Sequence, residues 1–205
     1  MFTEILPMDH PETMGIAIEE LKKGSVIAVP TDTVYGIACL LDKEEAIQHI
    51  YDIKERDTSK AIPLLIGEYE QIICATEGIS EMGQKLAKRF WPGALTLILE
   101  KRDELPAILT PYPTVGVRMP NHDWLRKLIE EAGVIAATSA NISGAENPIT
   151  ARDVLKQLDG RIPLIIDGGT CPGGIPSTVV DCTKKEAVIL REGVISEEEI
   201  RSELK

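Results

Sequence analysis

Aromatic residues are scarce, at 4% of the 205-residue chain. That excludes the row of stacking rings by which proteins grip single-stranded nucleic acid without sequence preference. No apolar run approaches the roughly 18 residues of a membrane span, and Met1-Phe2-Thr3-Glu4 lacks the basic-then-apolar layout of a secretion signal. We therefore expect a soluble, cytoplasmic protein without a membrane partner. Histidine is limited to His10, His49 and His122, none paired at ligand spacing on one element, which argues against a zinc centre. Cys39, Cys74, Cys171 and Cys182 are widely spread, form no Cys-x-x-Cys pair and read as reduced thiols. Nothing in the sequence motivates a nucleophilic cysteine. Basic residues are outnumbered, 22 against 33 acidic ones, and the formal net charge of −11 repels a phosphate backbone at long range. In so acidic a chain, a basic pocket has to be assembled by position.

What is present suits one compact domain over residues 1–205: 43% of the residues are hydrophobic, and no repeat, low-complexity tract or linker interrupts them. Strand-like and helix-like segments interleave throughout. Met14, Ala17, Ile18 and Leu21 share a helical face that Gly24 closes, and Asp42 is placed to cap a helix carrying Ala46, Ile47, Ile50 and Ile53. Strands are expected at 25–29, 62–66, 95–99, 115–120, 134–137 and 164–167, with two more at 176–181 and 187–191. Helices are expected at 80–90, 121–132 and 151–158, the last capped by Thr150, and Ser196 with Glu199 forms a capping box for a short final helix. The expected class is α/β or mixed α+β, a sheet covered by helices.

Several polar segments interrupt this pattern. Pro30-Thr31-Asp32-Thr33-Val34-Tyr35-Gly36 follows an apolar strand, and reads either as a plain strand exit or as one wall of a site. Lys54, Arg56 and Lys60 bring three cations to the end of a helix, where they either complement its dipole or bind phosphate. Arg118 stands between apolar neighbours and needs an anionic partner, either an internal carboxylate or a ligand. The stretch 138–148 is dense in hydroxyls and amides at the carboxyl end of a strand, where ligands of α/β sheets gather, although a Ser/Asn turn has the same composition. Gly168-Gly169-Thr170-Cys171-Pro172-Gly173-Gly174 matches neither a dinucleotide fingerprint nor a P-loop, since no Gly-Lys-Ser/Thr follows. Trp91 reads as a packing residue.

Seven segments in order along the chain resemble the YrdC-like family, the threonylcarbamoyl-AMP synthases of tRNA modification. They are the stretch 30–36, Lys54-x-Arg56 with Lys60, Trp91-Pro92-Gly93-x-Leu95-Thr96, Val117-Arg118-x-Pro120, Ser139-Ala140-Asn141-x-Ser143-Gly144, Pro176-Ser177-Thr178-Val179-Val180-Asp181 and Leu190-Arg191-x-Gly193. The resemblance implies a single twisted open sheet with helices around it and a concave basic cavity, in the short form without a further C-terminal domain. It also implies condensation of L-threonine, bicarbonate and ATP to threonylcarbamoyl-adenylate and pyrophosphate, with Mg2+. The implied partners are downstream threonylcarbamoyl-transferase proteins and tRNA.

By the same resemblance Lys54, Arg56, Lys60 and Arg191 hold the phosphates or the adenylate, and Thr114, Ser139, Asn141 and Asn147 complete the ATP site. Thr33, Arg118, Ala137 and Ser177 surround threonine or its carbamate, with Arg118 facing the carboxylate. No covalent nucleophile is expected, and no metal ligands are assigned. Asp57 and Glu192 depart from the prolines frequent at those places in the family, and Asp57 either weakens the local positive field or helps hold a metal. Two other functions compete with this one. An RNA-binding module using the same basic concavity is disfavoured by the acidic total and the few aromatics. A sugar-phosphate enzyme lacks a carboxylate, histidine or cysteine constellation.

Overall fold

The computed structural model describes residues 2–205. In chain order it runs β1 (Glu4–Pro7), α1 (Thr13–Lys22), β2 (Ile27–Val29), β3 (Gly36–Leu40), α2 (Glu44–Lys54), β4 (Leu64–Leu65), α3 (Glu81–Phe90) and β5 (Leu95–Glu100). It continues with β6 (Thr114–Arg118), α4 (Asp123–Ala132), β7 (Ile135–Ser139), α5 (Ala151–Leu158), β8 (Leu164–Asp167), β9 (Thr178–Asp181), β10 (Val188–Arg191) and α6 (Glu197–Leu204). The strands form one ten-stranded mixed sheet, ordered β1-β8-β2-β3-β7-β4-β6-β5-β9-β10. Parallel pairs join β1 to β8, β4 to β6 and β5 to β9, and antiparallel pairs join β3 to β7 and β5 to β6.

Period-two alternation sends neighbouring residues of each strand to opposite faces of this sheet. Ala28, Ile37, Cys39, Ala136 and Ile165 point into the larger core, packed with residues of α2, α3, α5 and α6. Ile27, Val29, Ala38, Leu40, Ile135 and Ile166 point the other way, into a smaller core closed by Ala17 and Leu21 of α1 and Leu125, Leu128 and Ile129 of α4. Burying one such Leu or Ile contributes about 1.5–3 kcal/mol. The larger core continues under β5 and β6 through Leu95, Leu97, Leu99, Val115 and Val117. Among the described residues, the smaller core does not extend over the opposite face of those two strands.

Local signals settle most helix ends. Thr150 accepts from the Asp153 amide while Asp153 answers to Thr150, and Ser196 and Glu199 form the same reciprocal box; each cap contributes about 1 kcal/mol. Asp42, by contrast, does not cap α2. Lys43 holds that place without a side-chain bond, and Glu44 and Glu45 supply the favourable charge at the helix start. The strand expected at 62–66 contracts to Leu64–Leu65, because Pro63 has no N–H to give and Ile62 sends its own to the Leu109 carbonyl. Helix α4 begins at Asp123 because His122 Nδ1 accepts from the Leu125 amide. Trp91 is buried, its Nε1 donating to the Leu95 carbonyl at 2.8 Å, in the packing role expected of it. All four cysteines are free.

Candidate active site

The helix-free half of the sheet face is the floor of an open cavity of about 350 Å3. Thr96 and Ile98 of β5, Gly116 and Arg118 of β6, Val179 of β9 and Leu65 of β4 point up into it, each one step out of phase with a core residue on the same strand. Gly116 keeps the floor low. A Cβ there would come within 3.2 Å of both Pro63 and Thr96. The walls are the turn holding Thr31 and Thr33, the segment after α2 with Arg56 and Ala61, Ser139 at the end of β7 with Asn147 in the loop that follows, and Pro176, Ser177 and Arg191. Among the described residues, three arginines and no Asp or Glu line the space.

Arg118 is fixed on three sides. Its Nη2 pairs with Asp32 Oδ1, its Nε donates to the Gly93 carbonyl at 3.0 Å, and its Nη1 donates to Thr33 Oγ1 at 3.2 Å. A guanidinium carries five N–H donors, so two remain after these three bonds. Arg118 thus has the internal carboxylate partner, and it also lines the cavity. Burial lowers its pKa while Asp32 raises it. Thr31 shapes the same turn, with Oγ1 accepting from the Thr33 and Val34 amides and lying 3.0 Å from Thr33 Oγ1.

Arg191 leans on Ser177. Nε and Nη2 donate to the Ser177 carbonyl at 3.1 and 2.8 Å, and Nη2 also reaches Ser177 Oγ at 3.3 Å. Ser177 Oγ in turn lies 2.8 Å from Thr96 Oγ1. Arg56 is held in the same manner, with Nε on the Lys60 carbonyl and Nη2 on that of Ala61. Among the described residues no protein acceptor meets Nη1 of Arg56 or of Arg191. Each is tied to the backbone along one edge and open along the other, which lessens the side-chain entropy lost when a ligand binds.

Thr33, Arg56, Arg118, Ala137, Ser139, Asn147, Ser177 and Arg191 all line the cavity, although they are spread over most of the chain. Lys54, Lys60, Thr114 and Asn141 do not. Lys54 is buried beneath the loop after β7, its ammonium bonded to the Ser139 carbonyl and to the carbonyl and Oδ1 of Asn141 at 2.6 and 3.3 Å. Burial, with Arg56 nearby, pulls its pKa down to about 7. Asn141 commits its amide to the carbonyls of Ile142 and Ala145, so it organises the loop. The Lys60 side chain is exposed, and the residue contributes its carbonyl to Arg56. Thr114 starts β6 opposite Glu100, four residues and about 13 Å along the strand from Arg118. Thr31, Thr96, Ile98 and Gly116 belong to the lining, and no role is expected of them individually from the sequence. For Thr96 and Gly116 the signal is the alternation itself, a polar or small residue at an out-of-phase position of an otherwise apolar strand.

The fold and cavity define a class: a mixed sheet covered by helices on one face and over part of the other, with a polar cleft lined by arginines over the bare part. The chain belongs to the Sua5/YciO/YrdC family, whose model, described as telomere recombination, matches residues 19–193. It is 42% identical over 187 residues to the threonylcarbamoyl-AMP synthase of Pyrococcus abyssi (strain GE5 / Orsay), covering 90% of this chain and 55% of that protein. It is 42% identical over 203 residues to the threonylcarbamoyl-AMP synthase of Bacillus subtilis (strain 168), covering 98% of this chain and 58% of that one. The chain thus spans a little over half the length of these two relatives. The crystal structure of P. abyssi Sua5 complexed with L-threonine superposes with a TM-score of 0.94 at 38% identity, over 100% of this chain and 61% of that chain.

Proposed function

We propose that the protein is a nucleotidyltransferase that condenses L-threonine, bicarbonate and ATP to threonylcarbamoyl-adenylate and pyrophosphate. The observation that carries this reading is the set of three backbone-anchored arginines, Arg56, Arg118 and Arg191, around one cavity whose lining has no carboxylate among the described residues. Every species in the reaction is an anion at its reacting or recognised end. The threonine amino nitrogen attacks the bicarbonate carbon and water leaves, giving a carbamate; a carbamate oxygen then attacks the α-phosphorus of ATP and pyrophosphate leaves. No covalent nucleophile is needed, since holding the reactants together and stabilising charge on phosphorus suffices.

The geometry supports the following assignment of roles. The two N–H groups left on Arg118 suit the threonine carboxylate, with Thr33 and Ser177 beside it, and Ala137 leaves room at the floor. The open edges of Arg56 and Arg191 suit the phosphates, and Ser139 and Asn147 the nucleoside end. Lys54 and Asn141 hold the Ser139 turn from below. Mg2+ is proposed to enter with the ATP substrate, as is usual for an ion that keeps several waters and is held largely by substrate phosphates. Downstream transferase proteins that pass the threonylcarbamoyl group to tRNA are the proposed partners, and the cytoplasm the proposed location. No helix among the described residues is long and apolar enough to cross a membrane. The test is pyrophosphate release by purified protein with ATP and Mg2+. Release that requires both threonine and bicarbonate supports the reading, and release indifferent to either overturns it.

A further inference from the structure

The segment Gly168-Gly169-Thr170-Cys171-Pro172-Gly173-Gly174 is rich in glycine but contributes nothing to the cavity lining. It leaves β8 and arrives at Pro176 and Ser177, so its path decides where Ser177 stands. The strap is tied down at several points. Tyr35 Oη donates to the Gly169 carbonyl at 2.8 Å and accepts from the Gly168 amide at 3.1 Å. Cys171 N–H donates to the Ile149 carbonyl at 2.8 Å, and Gly174 N–H to that of Thr33 at 3.2 Å. At Gly168 a Cβ would lie 2.7 Å from Cγ of Pro30, so only glycine lets the strap rest against the turn that carries Thr31 and Thr33.

Tyr35 reaches further through its backbone. Its N–H donates to the Pro148 carbonyl at 2.9 Å, and its carbonyl accepts from the Ala140 amide at 2.8 Å. One fully buried residue therefore joins the loops that carry Ser139, Asn147 and Ser177. A phenol that donates and accepts at once has to be neutral. Burial pushes the Tyr35 hydroxyl up to about 12, which keeps it so at neutral pH.

We propose that Tyr35 is a positioning residue: its hydroxyl fixes the Gly168-Gly169 turn and, through the strap that follows, the placement of Ser177 and of the Arg191 guanidinium that leans on it. The catalytic consequence rests on the function proposed above; the tethering of the strap does not.

Tyr35→Phe removes the hydroxyl and keeps the ring in the core. Hydrogen exchange at the Gly168, Gly169 and Gly174 amides rises about tenfold or more, while β3 and β7 keep their protection. In steady-state assays with threonine, bicarbonate and ATP, the KM values for threonine and ATP rise about tenfold and kcat changes by less than about threefold. Gly168→Ala displaces the same turn from the Pro30 side without touching the hydroxyl, and gives the same pattern. Unchanged exchange at the three glycines in both variants overturns the proposal. So does faster exchange with both KM values unchanged, and so does a uniform loss of protection across the sheet. A wild-type protein that makes no product removes the functional reading alone, and the exchange comparison together with ATP affinity by calorimetry then decides the role of Tyr35.

Discussion

Arg118 and Asp32, 86 residues apart in the chain, form a largely buried ion pair at the edge of the cavity, with side-chain exposures of 9% and 11%. The pair aims the guanidinium, and a separate nitrogen of Arg118 reaches Thr33 Oγ1 in the same turn. Asp32→Ala leaves the cation buried without its partner and destabilises the protein by about 3 kcal/mol in urea denaturation. It also raises the KM for threonine more than that for ATP. A loss below about 1 kcal/mol would mean that the Gly93 carbonyl and water suffice for Arg118.

Arg56→Ala and Arg191→Ala each remove a guanidinium whose open edge faces the cavity. Nucleotide affinity by calorimetry falls about tenfold or more in both, against no change for Lys156→Ala, a lysine paired with Asp153 on the exposed side of α5. Equal affinities in all three variants would remove the phosphate role.

Thr96→Val keeps the shape of the floor and deletes the hydroxyl that meets Ser177 Oγ at 2.8 Å. We expect threonine-dependent turnover to fall several-fold and the thermal midpoint to drop by about 2–4 °C, since losing a hydrogen bond of this kind costs about 1 kcal/mol. Wild-type turnover in this variant would make Thr96 a spectator.

Lys54 gives a pH signature. Burial brings its folded pKa from 10.5 down to about 7, so between those values the unfolded chain binds the extra proton and stability rises with pH. The contribution is complete above the unfolded value of 10.5 and is lost as pH falls through about 7. Wild-type stability measured relative to Lys54→Met therefore increases from about pH 7 to about pH 9. A flat difference would show that the three loop oxygens hold the ammonium charged throughout.

Most local chemistry was legible in the sequence, the cap expected at Asp42 excepted, and long-range pairing was not. The cap at Thr150 and the box at Ser196 close within three residues, so reading them required no knowledge of the fold. Thr96 and Ser177 touch across 81 residues only because β5 and β9 pair in parallel, and the sheet order that makes them neighbours follows no sequence order. Lys54 and Arg56 look equivalent as a Lys-x-Arg pair. Residues two apart on a helix do not share a face, however, and here the chain also turns at Glu55, with φ of 52°. One cation goes under the Ser139 loop and the other reaches the cavity. The strand alternation that turns Gly116 and Thr96 to the cavity side of the sheet is present in the residues. Which face would stay bare depended on where α1 and α4 pack.

One cavity that joins threonine, bicarbonate and ATP is the centre of the proposed function, and mass spectrometry of the product formed from carbon-labelled bicarbonate tests it most directly. The expected product is a threonylcarbamoyl-adenylate that carries the label, formed only when threonine and ATP are both present. An adenylate of threonine without the labelled carbon, or no adenylate at all, would contradict it.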